Sequence, residues 1–151
     1  MKLEPISAFA PIENDETLYR AVRNDPRFFP EDGKGGRRIS SMAFNNSKRR
    51  PSVDRALFCP AGAVETRSRF AEGSGALALF AGEVRGLSAV HGATGAIYGV
   101  DAEAVPLPEN SAHAEIFGRP PFDTEKLFER IKHSLSRIAV ISLHPENLFD
   151  S

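Results

Sequence analysis

A chain of 151 residues has room for one ordinary domain rather than two. A hydrophobic share of 41% and a charged share of 26% suffice for a self-supporting core that buries roughly two-thirds of the unfolded surface. The single cysteine, Cys59, excludes an intramolecular disulfide framework and a multi-cysteine metal cluster, and a net charge of −1 argues against global electrostatic binding to nucleic acid.

In chain order, residues 1–16, with Pro5, Pro11 and a Glu13-Asn14-Asp15-Glu16 run, read as an extended lead-in to one domain over 17–145, with 146–151 as a tail. Thr17 to Val22 alternates and carries β-favouring residues, which predicts a strand. Pro26, Pro30 and the glycine-rich 32–36 break regular structure. A second strand is predicted over Arg38 to Phe44, with Ile39, Ser41 and Ala43 on one face. A polar, basic loop covers 45–51, and 52–57 fits a short strand or a helical turn equally. Pro60 suits the first position of a helix reaching about Ala71, and Gly73 ends it. Ala76 to Ala81 is a short apolar run between glycines and reads as a buried strand, whereas 83–90 is ambiguous. Strands follow at Ala96 to Val105 and at Ala112 to Phe117. The clearest helix covers about Thr124 to Val140, with Asp123 as its predicted N-cap and Leu127, Phe128, Ile131, Leu135 and Ile138 in one stripe. Strands outnumber helices without alternating with them. That predicts an α+β fold, a mixed sheet with the C-terminal helix packed on it.

No apolar run is long enough to span a bilayer, and the acids Glu4, Glu13, Asp15 and Glu16 do not resemble a signal peptide. A cytoplasmic protein is expected. His113-Ala114-Glu115 has the opening of a zinc deaminase motif, but the second cysteine that this chemistry needs does not exist. His91, His113, His133 and His144 lack the i, i+4 spacing of a zinc protease, and no metal site is expected. Cys59, between Phe58 and Pro60, reads as a buried thiol.

The segment from Lys34 to Arg55 is the most informative. It holds seven cations against one acid, Asp54, in a chain whose net charge is −1. Arg37, Arg38, Lys48, Arg49 and Arg50 are therefore candidate anion-binding residues, and the partner expected is an anionic ligand, a nucleic acid or an acidic protein, with no cofactor.

Arg20, Ser41 and Glu115 occur in the chain order of an arginine, a serine-bearing strand and a glutamate. The set resembles small NAD-dependent ADP-ribosyltransferase-like proteins, including NAD-destroying toxins. The resemblance implies NAD as cofactor, with Arg20 on the pyrophosphate, Ser41 orienting the nicotinamide ribose and Glu115 stabilising the oxocarbenium. Ser41 is followed here by Met42 and Ala43 rather than by a second hydroxyl residue. The strings Ser41-Met42-Ala43-Phe44, Ser52-Val53-Asp54 and Pro106 to Ala114 are similar to those of a group of small bacterial proteins. That resemblance implies a stand-alone bacterial domain and brings no activity with it. It makes Asp54, Asn110 and His113 a candidate cleft beside Ser41. The leading expectation is a small accessory or interaction protein that binds an anion through the basic loop. The alternatives are an NAD-consuming enzyme and an immunity or antitoxin partner.

Overall fold

The computed structural model describes residues 6–146, so the predicted tail beyond Glu146 and the first five residues lie outside it. Seven strands, β1 (Thr17–Val22), β2 (Ser52–Arg55), β3 (Gly75–Phe80), β4 (Ser88–Val90), β5 (Ile97–Ala104), β6 (His113–Arg119) and β7 (Val140–Leu143), form one sheet in the order β4-β5-β6-β2-β1-β3-β7. Every pairing between them is antiparallel. Helices α1 (Ala63–Ser68), α2 (Ala81–Arg85) and α3 (Glu125–Ile138) complete a single-domain α+β fold.

The sheet has two chemically different faces. Leu18, Val53, Leu77, Leu79, Ala114 and Ile116 point to one side, where they join Leu127, Phe128, Ile131 and Leu135 of α3 in the hydrophobic core. The stripe at helical spacing is thus the buried face of α3, as its periodicity requires. On the other side α1 packs against β1 and β3, over the small side chains of Ala76 and Ala78. It leaves the β2, β6 and β5 part of that face without a helix.

Four local expectations are corrected. Residues 38–44 do not form a strand. Ser41–Phe44 is a 3-10 turn capped by the Ser40 side chain, which accepts from the Met42 amide, and Ala43 and Phe44 are buried under α3. The N-cap of α3 is Thr124, not Asp123, and its hydroxyl accepts from the Leu127 amide at 3.1 Å. The helix ends at Ile138, and Val140–Leu143 pairs with β3 as an edge strand. The α1 helix is also shorter than the predicted run to Ala71. Both possibilities for 52–57 are realised in turn, β2 followed by a 3-10 turn over Ala56–Phe58.

The lead-in is anchored. Ile12 is buried in the core, and the Arg55 guanidinium donates to the carbonyls of Ala8, Ala10 and Pro11. The same guanidinium donates to both Glu16 oxygens at 2.8 Å and lies over the Phe58 ring.

Candidate functional site

Directly opposed residues of antiparallel strands emerge on the same face. The register places Tyr19 opposite Asp54, and Asp54 opposite His113. It places Ser52 opposite Glu115, and Glu115 opposite Glu103. These side chains form two rows across the face of the sheet opposite the core, so Asp54 and His113 are neighbours although 58 residues lie between them in the chain.

Asp54 is the centre of the arrangement. Its side chain is buried, and both oxygens are engaged. Oδ1 accepts from Asn110 Nδ2 at 2.8 Å, and Oδ2 accepts from Thr66 Oγ1 and from an Arg69 terminal nitrogen, each at 2.8 Å. Thr66 and Arg69 are three residues apart at the end of α1, which puts them on one helix face. Asn110 is delivered by a tight turn in which Leu107 and Asn110 exchange backbone hydrogen bonds and the Asn110 Oδ1 accepts from the Ala112 amide. Polar side chains that fix one another in this way hold a cleft in a single shape. The cleft beside them has a volume of about 170 Å³ and is bordered by Tyr19, Ser52, Asp54, Thr66, Arg69 and Phe70 among others. A dry cavity of about 150 Å³ accepts a benzene molecule. The cleft therefore has room for one ring or one phosphoryl group.

Arg69 stays charged. Burial lowers its pKa, but contact with Cys59 and with Asp54 more than offsets this and the net shift is upward. Burial pushes the Cys59 thiol up, against the opposing influence of Arg69 at 4.0 Å, so the thiol is protonated at neutral pH. Next to the cleft, His113 Nδ1 lies 2.8 Å from the Val105 carbonyl and donates to it, which leaves Nε2 as the second ring nitrogen on the helix-free face.

The structure does not bring Arg20, Ser41 and Glu115 together. Arg20 borders the cleft, but its cross-strand partner is Leu77 of the core face. Its guanidinium donates to the carbonyls of Ala43, Ser52 and Asn45 at 2.8, 2.7 and 3.2 Å and stacks on Phe44. Burial lowers its pKa to about 10, which still leaves it charged at neutral pH. It holds the 43–52 loop against the sheet and has no geometry for a pyrophosphate. Ser41 is buried against α3, with its hydroxyl 3.5 Å from Glu129. Glu115 lies on the opposite face. The charge-assisted set expected for NAD chemistry is split by the sheet.

Three of the seven cations of the basic segment, Arg49, Arg50 and Arg55, are paired with acids from elsewhere in the fold. Arg50 donates to Glu115 at 2.6 Å and to Glu103, and lies over the Phe117 ring. Glu103 and Glu115 are cross-strand neighbours of like charge, a destabilising pair that Arg50 bridges. Burial lowers the Arg50 pKa, but the two glutamates outweigh it and the net shift is upward. Arg49 reaches Glu125 at 3.3 Å and the Phe122 carbonyl, Arg55 is buried on Glu16, and Arg37 reaches the Phe29 carbonyl. Lys34, Arg38 and Lys48 are exposed, with no ion pair among the described residues. The charge asymmetry along the chain thus reflects in good part ion pairs between this segment and Glu16, Glu103, Glu115 and Glu125.

Tyr19, Thr66 and Arg69 were not predicted as site residues. The one available signal was the three-residue spacing of Thr66 and Arg69 on a predicted helix. Nothing in the linear sequence says that this helix faces Asp54. Among the described residues no three His, Cys, Asp or Glu side chains converge as a metal site, and no helix is long and apolar enough to cross a membrane. A comparison with family models, with curated proteins and with solved structures finds no match for this chain.

Proposed function

We propose that the protein binds a small anionic ligand, and that the anion docks in the cleft between β1, β2 and α1 rather than across the basic loop. One observation carries the reading. Among the described residues, Asp54 is the one carboxylate bordering the cleft, and it already accepts from Thr66, Arg69 and Asn110, so the groups left for a ligand are donors. These are the rest of the Arg69 guanidinium, whose second terminal nitrogen lies 3.7 Å from a Glu65 oxygen, beyond hydrogen-bond reach, and the hydroxyls of Tyr19 and Ser52, which have no hydrogen-bond partner among the described residues. A guanidinium held in place by a buried carboxylate is preorganised for a phosphate or carboxylate, because its remaining N–H groups keep a fixed direction. The exposed cations Lys34, Arg38 and Lys48 lack such a fixed frame.

Replacing Arg69 by glutamine removes the charge while leaving an amide donor for Asp54. A hydrogen bond to a charged group contributes about 1.5–3 kcal/mol, so binding should weaken roughly 10- to 100-fold. Titrations with inorganic phosphate and with AMP measure this by calorimetry, with Lys48→Ala as the comparison. The reading expects Arg69→Gln to weaken binding and Lys48→Ala to leave it unchanged. The reverse pattern would move the site to the basic loop.

A further inference from the structure

A second cavity, of about 490 Å³, lies between the turn after β4 and the first half of α3, away from the Asp54 cleft. Its size falls in the range of about 300–1,000 Å³ typical of small-molecule pockets. Val90 and Leu127 give it apolar walls, and two cations, Lys126 and Arg130, border it. Neither cation has a carboxylate partner among the described residues. The acids on the same helix are engaged elsewhere, Glu125 with Arg49 and Glu129 with Lys132. Arg130 is held in position, because one terminal nitrogen donates to the Val90 carbonyl at 2.8 Å. The opposite wall is fixed as well. His91 stacks on Tyr98 with ring centroids 6.1 Å apart, and its Nδ1 accepts from the amides of Ala93 and Thr94. Asp123, beside the lining residue Thr124, faces His91 Nε2 at 4.0 Å and accepts from the Tyr98 hydroxyl.

We infer that this cavity is a binding site for a small monocarboxylate with an apolar body, such as a medium-chain acid. The Arg130 fork and the Lys126 ammonium take the carboxylate, and the chain lies along Val90 and Leu127. Lys126, Arg130 and Asp123 together carry one net positive charge, which matches a monoanion rather than a phosphate dianion. The apolar walls add burial energy that an inorganic ion cannot use.

The experiment titrates octanoate, octanol and inorganic phosphate into the ¹⁵N-labelled full chain and follows the amides of Ala93 and Leu127. Octanoate should give saturable shifts at these amides, with octanol at least 10-fold weaker and phosphate without effect at them. Lys126→Gln combined with Arg130→Gln should weaken octanoate at least 10-fold. Both side chains are exposed, and the thermal midpoint should stay within a few degrees of the wild type. Val90→Glu, at a position 49% exposed, should abolish the shifts by placing a like charge in the wall. Equal binding of octanol would reduce the cavity to an apolar groove. Equal phosphate shifts at these amides, or none with millimolar octanoate, would overturn the assignment. Since the two cavities lie on different elements, phosphate shifts confined to the Asp54 cleft leave this inference standing.

Discussion

Replacing Arg55 by alanine is expected to cost about 3–5 kcal/mol of folding stability, as measured by urea denaturation. The side chain is 1% exposed, and Glu16, its bidentate partner, is 9% exposed. Truncation would leave a buried carboxylate with its partner gone and remove the donors to the carbonyls of Ala8, Ala10 and Pro11. Breaking such a pair from one side is far worse than replacing both members, so Arg55→Met with Glu16→Leu should recover much of the loss. The pair also gives stability a pH dependence. Burial raises the Glu16 pKa, but the hydrogen bonds and charge of Arg55 more than offset this, and the net shift is downward. A carboxyl with a depressed folded pKa stabilises above its ordinary value, about 4.3, and loses that contribution as pH falls through the folded value. Wild-type stability should therefore decline below about pH 4.3. In Arg55→Ala the sign reverses at this residue, because a buried carboxylate without a partner is relieved by protonation. A variant with an unchanged acid limb and full stability would show that the lead-in is not anchored by this pair.

Ile131→Ala should cost about 2–5 kcal/mol through lost burial and the cavity left behind. Ile131 is fully buried at the centre of the α3 stripe, between helix and sheet. For a chain of this size the thermal midpoint should fall by roughly 5–20 °C. Calorimetry measures it, and a drop of only a degree or two would mean that α3 does not pack the core as described. The neighbouring Lys132 is buried too, but its ammonium is satisfied by Asn45 at 2.6 Å and Glu129 at 2.8 Å, which ties α3 to the 41–46 loop.

Periodicity made part of this fold legible. The Thr17–Val22 strand and the Leu127 to Leu135 stripe were readable because burial on one face imposes a regular spacing on a single segment. Residues 38–44 alternate too, yet Ser40 caps a 3-10 turn there, a local hydrogen bond that competes with a ladder. Val140–Leu143 lies directly after the helix with only Ala139 between, so no turn residue marks the change. Chemistry was less legible than fold. The basic segment looked like a binding surface because its counter-ions, Glu16, Glu103, Glu115 and Glu125, are distant in sequence and meet it only after folding. Asp54, Asn110 and His113 were named as one candidate cleft because a string resemblance grouped them, while Thr66 and Arg69, which complete the Asp54 cluster, meet it only after folding.

That the anion seats on the donors around Asp54 is the central claim, and a chemical-shift map of the ¹⁵N-labelled protein titrated with AMP tests it most directly. The account predicts saturable shifts at the backbone amides of Tyr19, Ser52, Arg69 and Asn110, with the 34–49 segment unmoved. Shifts concentrated at Lys34, Arg38 and Lys48, or none at millimolar AMP and phosphate, would contradict it.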